Sequence, residues 1–198
     1  MTEADLDRIV AGRRPCLWVG ARALAFALAR SMGRAPAQSA PPLPWPVLVA
    51  VGSRDPVTKA QVEVLRRSWR VLAVPDGNLV GDVGEGEPTI LQMTAGGAGR
   101  PAGEAAIAFA QSVADTMRRN RPATLIASGG ETANAILGAL GVDRLVLIAE
   151  IAPGLPVSDV RTEWGTLRVV TKSGGFGGPD ALADLVRGRT EALEVRVT

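Results

Sequence analysis

Residues 47–51 read Val-Leu-Val-Ala-Val and residues 145–149 read Leu-Val-Leu-Ile-Ala, so both runs are apolar at every position. A strand with one face in water alternates apolar and polar residues, whereas a strand covered on both faces does not. Strands of the second kind are typical of parallel sheets that are covered by helices. We therefore predict an α/β fold with a mostly parallel, doubly wound sheet and helices on both of its faces.

Amphipathic segments alternate with the strand-like runs. Residues 102–120 place Ala106, Phe109, Val113 and Met117 at helical spacing. Asp55 followed by Pro56 is typical of the start of a helix. This alternation indicates strand–helix units rather than separate helical and all-β parts. The other predicted helices are 3–11, 22–32, 131–140 and 179–186, and the other predicted strands are 15–20, 71–74, 89–93, 124–127 and 167–171.

One stretch of the chain, residues 34–46, is rich in proline, alanine and serine. Such a composition is typical of an extended linker. We predict that residues 1–33 form a helix–strand–helix appendage packed on the main α/β domain, which comprises residues 47–198.

The residue types that are rare in this chain exclude several kinds of site. The chain has no histidine, which excludes Ser-His-Asp and Cys-His nucleophile systems and histidine-ligated metals. Its single cysteine, Cys16, lies in the apolar sequence Cys-Leu-Trp-Val and is expected to be buried and inert. A formal net charge of only +2 and scattered arginines do not favour a nucleic-acid partner.

Two features of the N-terminal region predict a cytoplasmic protein without a membrane partner. The first residues, Met-Thr-Glu-Ala-Asp-Leu-Asp, are acidic, unlike those of a signal peptide. The longest apolar stretch, residues 17–29, is interrupted by Arg22 and is too short to span a bilayer.

Three strand-like runs each end in a glycine-containing turn that leads toward a helix. The turns contain Gly52 with Ser53, the sequence Gly-Gly-Glu-Thr at residues 129–132, and Gly-Gly-Phe-Gly-Gly at residues 174–178. In an open parallel sheet, such turns lie at the carboxyl ends of the strands, where ligands bind. Glycine lets the backbone approach a phosphate, and helix N-termini favour anions. The pattern indicates a polyphosphate ligand, although glycine also simply permits a tight turn between a strand and a helix.

Other nucleotide-binding motifs fit the chain less well. No P-loop sequence G-x-x-x-x-G-K-[ST] occurs. Residues 97–102, Gly-Ala-Gly-Arg-Pro-Ala, match the dinucleotide fingerprint G-x-G-x-x-A, but the acidic residue that should follow about 20 positions later is missing. A dinucleotide-dependent oxidoreductase that uses this loop is therefore the least favoured interpretation.

Several ordered motifs together resemble one family. Residues 128–141 read Ser-Gly-Gly-Glu-Thr-Ala-Asn-Ala-Ile-Leu-Gly-Ala-Leu-Gly, residues 150–156 read Glu-Ile-Ala-Pro-Gly-Leu-Pro, and residues 171–177 read Thr-Lys-Ser-Gly-Gly-Phe-Gly. Together with the earlier Gly52 and Ser53 turn, these motifs closely resemble the nucleotide-binding C-terminal domain of the four-carbon acid sugar kinases.

The resemblance implies a nucleotide-binding domain at residues 47–198, with ATP and Mg²⁺ as cofactors and ATP or ADP as the bound partner. Glu131 is a candidate for holding Mg²⁺ or for complementing the helix dipole, and Lys172 for pairing with phosphate or for remaining a solvated charge. Gly130 is expected to need a positive φ, and Glu150 to be structural. No acceptor base and no metal site formed by the protein alone are predicted. The implied nucleotide-binding residues are Ser53, Gly129, Gly130, Glu131, Thr132, Lys172, Gly174 and Gly175.

Full-length members of that family begin with a sugar-binding domain that carries an Asp-Asp-x-Thr-Gly motif, and this motif does not occur here. The resemblance therefore implies the ATP-binding half of a sugar-acid kinase. We expect this half either to work with a separately encoded sugar-binding chain or to be a fragment of a longer protein, and in both cases to be inactive alone. A stand-alone nucleotide-binding or regulatory module is the alternative, and a homo-oligomer is compatible with both.

Overall fold

The computed structural model describes residues 2–12, 16–33, 40–81, 83–84, 88–97, 99–152 and 154–188. The chain divides into two compact units, Met1–Gln38 and Ser39–Thr198. In the smaller unit, Thr2 caps helix α1 (Glu3–Ala11) by accepting a hydrogen bond from the N–H of Asp5. Helix α1 packs against helix α2 (Arg22–Ser31) through the buried residues Leu6, Val10 and Ala27.

Two predictions for the smaller unit are wrong. Residues 16–20 of the predicted strand 15–20 form no strand, and residue 15 lies outside the described residues. Cys16 is exposed, as are Leu17 and Val19. A strand needs a neighbouring strand to satisfy its backbone groups. The sheet described below does not include this segment, so Cys16, Leu17 and Val19 have no strand ladder that would bury them.

The larger unit contains a seven-stranded sheet with strands β1 (Val47–Val51), β2 (Val71–Pro75), β3 (Thr89–Thr94), β4 (Thr124–Ser128), β5 (Val146–Ala152), β6 (Leu155–Thr162) and β7 (Gly165–Lys172). Their order in the sheet is β2-β3-β1-β4-β7-β6-β5. Strands β2, β3, β1, β4 and β7 are parallel, whereas β6 runs antiparallel to both β7 and β5. The prediction of a mostly parallel α/β sheet is confirmed.

Helices cover the sheet on both faces, which explains the apolar run in β1. Val49 packs in one cluster with α3 (Pro56–Arg66) and α6 (Ala181–Arg187). Leu48 packs in another with α4 (Ala102–Asn120) and α5 (Gly130–Ala139). Because successive side chains of a strand point to opposite faces, a strand between two helical layers must be apolar throughout. Among the described residues, no helix is both long enough and apolar enough to cross a lipid bilayer.

The second apolar run is not a central strand. Strand β5 lies at the edge of the sheet, pairs with the antiparallel β6, and leaves Val146 and Leu147 56% and 69% exposed. Gly154, with a φ of 82°, lets the chain reverse after β5 and enter β6, a strand that the sequence patterns did not predict. An apolar run does not say how many neighbours a strand has, because the sheet order depends on the rest of the chain.

Candidate functional site

The three glycine turns lie side by side because β1, β4 and β7 are neighbours in the sheet. Val51 pairs with Ser128, and Ser128 pairs with Lys172, so the last residues of the three strands are in register. The helices that follow β1 and β4 lie on opposite faces of the sheet. Loops that diverge in this way leave a crevice at the carboxyl ends of the strands. We call this place the junction crevice.

Backbone hydrogen bonds connect the turns to one another. The N–H groups of Gly52 and Ser53 both donate to the carbonyl oxygen of Ser128, at 3.2 Å each. The N–H of Gly129 donates to the carbonyl oxygen of Lys172 at 2.8 Å. The first two turns are therefore joined through Ser128, and the second and third through Gly129, in one hydrogen-bonded assembly.

Glycine is required at residues 52 and 129 for different reasons. A Cβ atom on Gly52 would lie 2.1 Å from the hydroxyl oxygen of Thr132, so any larger residue would force the Thr132 side chain to move. Gly129 has a φ of 111°, which side chains disfavour. Gly130 differs from its expected role, because it begins α5 without a positive φ and a Cβ there would meet nothing within 4 Å.

The N-terminus of α5 opens at the junction crevice. Its N-cap is Gly129, and no side chain caps the helix. The first N–H groups of a helix have no partner within it, and together with the helix dipole they attract anions. Glu131 lies exposed in the first turn. No group of three or more acidic, histidine or cysteine side chains that could hold a metal occurs among the described residues.

The third turn, residues 173–178, is called the glycine loop here. The side chain of Lys172 is hydrogen-bonded to the first half of this loop. The Nζ atom donates to the carbonyl oxygens of Ser173 and Gly174, both at 3.0 Å, and to Oγ1 of Thr58 at 3.3 Å. The side chain is only 1% exposed. Burial lowers the pKa of Lys172 from 10.5 to about 8, while the negative charge of Asp55 acts in the opposite direction. The three protons of the ammonium group are thus matched by three acceptors inside the protein.

Gln61 of α3 holds the second half of the glycine loop. Its Nε2 atom lies 3.1, 3.1 and 2.8 Å from the carbonyl oxygens of Phe176, Gly177 and Gly178, respectively. Thr58, one turn earlier in α3, donates to the carbonyl oxygen of Gly174 at 2.8 Å. Both side chains are fully buried. The sequence analysis did not identify Thr58 and Gln61 as functional residues, because their signal is a contact between distant segments.

Ser53 and Asp55 border the glycine loop on the side of α3. A Cβ atom on Gly174 would lie 2.6 Å from Oγ of Ser53 and 2.8 Å from Cβ of Asp55. Oδ1 of Asp55 caps α3 by accepting the N–H of Val57 at 2.8 Å. The sequence predicted only this capping role, and the structure adds that the carboxylate also lies beside the glycine loop. Its place two residues after Ser53 was the available sequence signal.

The β5–β6 turn supports the glycine loop from another side. The carboxylate of Glu150 accepts the N–H of Gly154. A Cβ atom on Gly154 would lie 2.5 Å from the ring of Phe176, so only glycine lets the ring approach so closely. Glu150 therefore shapes the turn on which Phe176 packs. Residue 153, which belongs to the same motif, lies outside the described residues.

Known proteins resemble this chain over most of its length. The family described as a nucleotide-binding C-terminal domain matches residues 91–182. A D-threonate kinase of Cupriavidus necator is 34% identical, over 96% of this chain and 52% of that protein. The chain is homologous to the four-carbon acid sugar kinases. A 3-oxo-tetronate kinase of the same organism is 31% identical, over 78% of this chain and 40% of that protein.

This four-carbon acid sugar kinase homologue spans about half the length of the curated relatives it matches. A solved structure of a domain of unknown function from Bordetella bronchiseptica resembles it with a TM-score of 0.64 and 27% identity. The match covers 96% of this chain and 51% of the solved one, which is a domain-swapped dimer with bound citrate. The resemblance extends over nearly the whole of this homologue.

Proposed function

We propose that this chain is the ATP-binding half of a four-carbon acid sugar kinase and that the junction crevice binds the phosphates of ATP or ADP. The observation that carries the proposal is the alignment of three glycine turns at the ends of neighbouring parallel strands, with the uncapped N-terminus of α5 between them. This combination concentrates backbone N–H donors where a polyphosphate can reach them. The homology with D-threonate and 3-oxo-tetronate kinases supports ATP as the ligand.

The proposed roles follow from position. The amides that begin α5, at Gly130, Glu131 and Thr132, donate to phosphate oxygens, and Gly174 and Gly175 do so from the glycine loop. Ser53 contributes its hydroxyl group from the turn that follows β1. Gly129 has no side chain and therefore lets the backbone come close to the phosphates. Lys172 contributes its positive charge rather than a direct hydrogen bond to phosphate, because its three protons are already hydrogen-bonded to acceptors of the protein.

Magnesium is proposed to accompany the nucleotide. Mg²⁺ is commonly held by one or two carboxylates together with substrate phosphates and water, rather than by a complete protein cage. Glu131, exposed in the first turn of α5, is the first candidate for such a carboxylate. Asp55, which lies beside Gly174 and Gly175, is the second.

Phosphoryl transfer would require a sugar-acid acceptor held in line with the γ-phosphate. The sequence contains no Asp-Asp-x-Thr-Gly motif. We therefore place the acceptor site on a sugar-binding part of the enzyme outside these residues. A nucleotide-binding module without transfer activity is the second candidate, and addition of a sugar-binding partner distinguishes the two by restoring or not restoring transfer.

Calorimetric titration of the purified chain with ATP, ADP and NAD, each with and without Mg²⁺, tests the ligand. We expect ATP and ADP to bind with similar affinity at one site and NAD not to bind. A folded chain that binds NAD but not ATP would contradict the proposal and favour the loop at residues 97–102.

A further inference from the structure

The glycine loop is bonded to the protein interior through its carbonyl groups. Three buried side chains of α3 and β7, Thr58, Gln61 and Lys172, supply the donors. We call these three side chains the loop clamp. The carbonyl groups that accept their hydrogen bonds are those of Ser173, Gly174, Phe176, Gly177 and Gly178.

This bonding determines which way the amides of the loop point. In a planar trans peptide the C=O of one residue and the N–H of the next point in opposite directions. Carbonyl groups of residues 173 and 174 that face the clamp therefore turn the N–H groups of Gly174 and Gly175 away from it. The carbonyl groups of residues 176 and 177 do the same for Gly177 and Gly178. A loop whose carbonyls pointed outward would instead repel a phosphate.

We propose that Thr58, Gln61 and Lys172 are positioning residues that turn the glycine-loop amides toward the nucleotide phosphates, and that loss of the Lys172 proton weakens phosphate binding. This inference rests on the proposed function of the junction crevice. It assigns Lys172 a role through the loop backbone, which differs from the direct phosphate pairing expected from the sequence.

The protonation state of Lys172 affects the clamp in two ways. A neutral amine has two protons for its three acceptors, so one of the three hydrogen bonds that Lys172 donates is lost. The positive charge beneath the phosphates is lost as well. The charge that acts on Lys172 belongs to Asp55 at the start of α3, whereas Thr58 and Gln61 of α3, Ser128 of β4 and the loop carbonyls are uncharged.

The expected direction follows from linkage. Because phosphate favours the charged lysine, bound nucleotide should raise the pKa of Lys172 above its value of about 8 in the folded protein without nucleotide. Nucleotide affinity should therefore fall as the pH rises beyond 8. The expected decrease between pH 7.5 and 9.5 is about two- to tenfold, the equivalent of one hydrogen bond. Phosphate groups are fully ionised below this window and do not contribute to the change.

The first experiment measures ATP affinity by calorimetry at pH 7.5 for the parent and for Gln61→Met and Lys172→Met. We expect each variant to bind about tenfold more weakly, because the loop must then be ordered by the ligand. Thr116→Val is the matched control, since Thr116 is equally buried but bonds within α4. Parent-like affinity in both folded clamp variants would overturn the inference.

The second experiment separates the clamp from the proposed function. Nitrogen-15 relaxation reports the order of the amides of Gly174, Gly175, Gly177 and Gly178 without any ligand. The inference requires ordered amides in the parent and increased motion in Gln61→Met, even if the parent binds no ATP and the proposed function fails. Unchanged amide order in this variant would overturn the clamp while leaving ATP binding intact.

The third experiment is the pH profile. The parent should lose ATP affinity between pH 7.5 and 9.5, Lys172→Met should show a flat profile, and the carbon-13 shifts of the Ser173 and Gly174 carbonyls should titrate only in the parent. A lysine that only stabilised the fold would not make ATP affinity depend on pH in this way. An identical slope in parent and Lys172→Met would overturn the role of the Lys172 proton.

Discussion

The Nζ atom of Lys172 lies 3.3 Å from Oγ1 of Thr58, and both side chains are buried where β7 meets α3. The same hydroxyl donates to the carbonyl oxygen of Gly174. One polar contact thus joins a strand, a helix and the glycine loop. A buried charge is costly unless it is hydrogen-bonded, which here requires all three elements to be in place.

Replacement of Gly129 by valine should abolish ATP binding. The φ of 111° is unfavourable for a branched residue, and a Cβ there would lie 2.9 Å from the hydroxyl of Thr132. Calorimetry on folded protein measures the effect. Gly138→Ala in α5, where a Cβ meets nothing within 4 Å, is the control and should bind normally.

Gly130→Val tests whether the space beside the first residue of α5 is needed for ATP, without requiring a change of backbone conformation. Gly130 has no positive φ and no neighbour near its Cβ position, so the fold should tolerate valine. The side chain would nevertheless project at the start of α5, where we place the phosphates, and ATP should bind much more weakly. Normal ATP affinity in this variant would place the nucleotide elsewhere.

Glu131→Gln should reduce the gain in ATP affinity that Mg²⁺ provides, because a neutral amide is a poorer magnesium ligand than a carboxylate. Titrations with and without Mg²⁺ measure this gain. Glu104→Gln alters an equivalent first-turn glutamate of α4 and serves as the control. If Glu131→Gln retains the full gain, Asp55→Asn becomes the decisive variant, since asparagine preserves the helix cap while removing the charge.

The stability of the protein should rise with pH relative to Lys172→Met. The folded chain holds the pKa of Lys172 at about 8, below the ordinary 10.5, so between these values the unfolded chain binds more protons. The free energy of unfolding of the parent should therefore increase across this window, by up to roughly 3 kcal/mol. Urea denaturation at several pH values measures the difference, and parallel curves for the two proteins would contradict it.

The chain alone should show no sugar-acid-dependent turnover. Without an oriented acceptor, the reaction loses a proximity contribution of about 7–11 kcal/mol. A coupled assay of ADP release with threonate, erythronate and their 2-oxo forms tests this expectation. Slow ATP hydrolysis would be compatible with it, whereas robust turnover with one sugar acid would reveal a complete acceptor site within these residues.

Local patterns predicted much of the larger unit. The helical spacing over residues 102–120 matches α4, and Asp55 with Pro56 begins α3 as expected. The apolar run at residues 47–51 is a central strand. These features depend on a few neighbouring residues, so the sequence by itself determined them, as it determined the glycine motifs that resemble the kinase family.

Only the tertiary structure decided how those pieces function together. The apolar run that begins β5 lies at an exposed edge, because β6 and β7 fold back beside it. Gln61 bonds to Gly178 across 117 residues of sequence, and no local pattern encodes such a partner. Periodicity reports which face of a segment is apolar, whereas burial and hydrogen-bond partners depend on which distant segments meet. For that reason the place of Lys172 beneath the glycine loop became visible only in the folded chain.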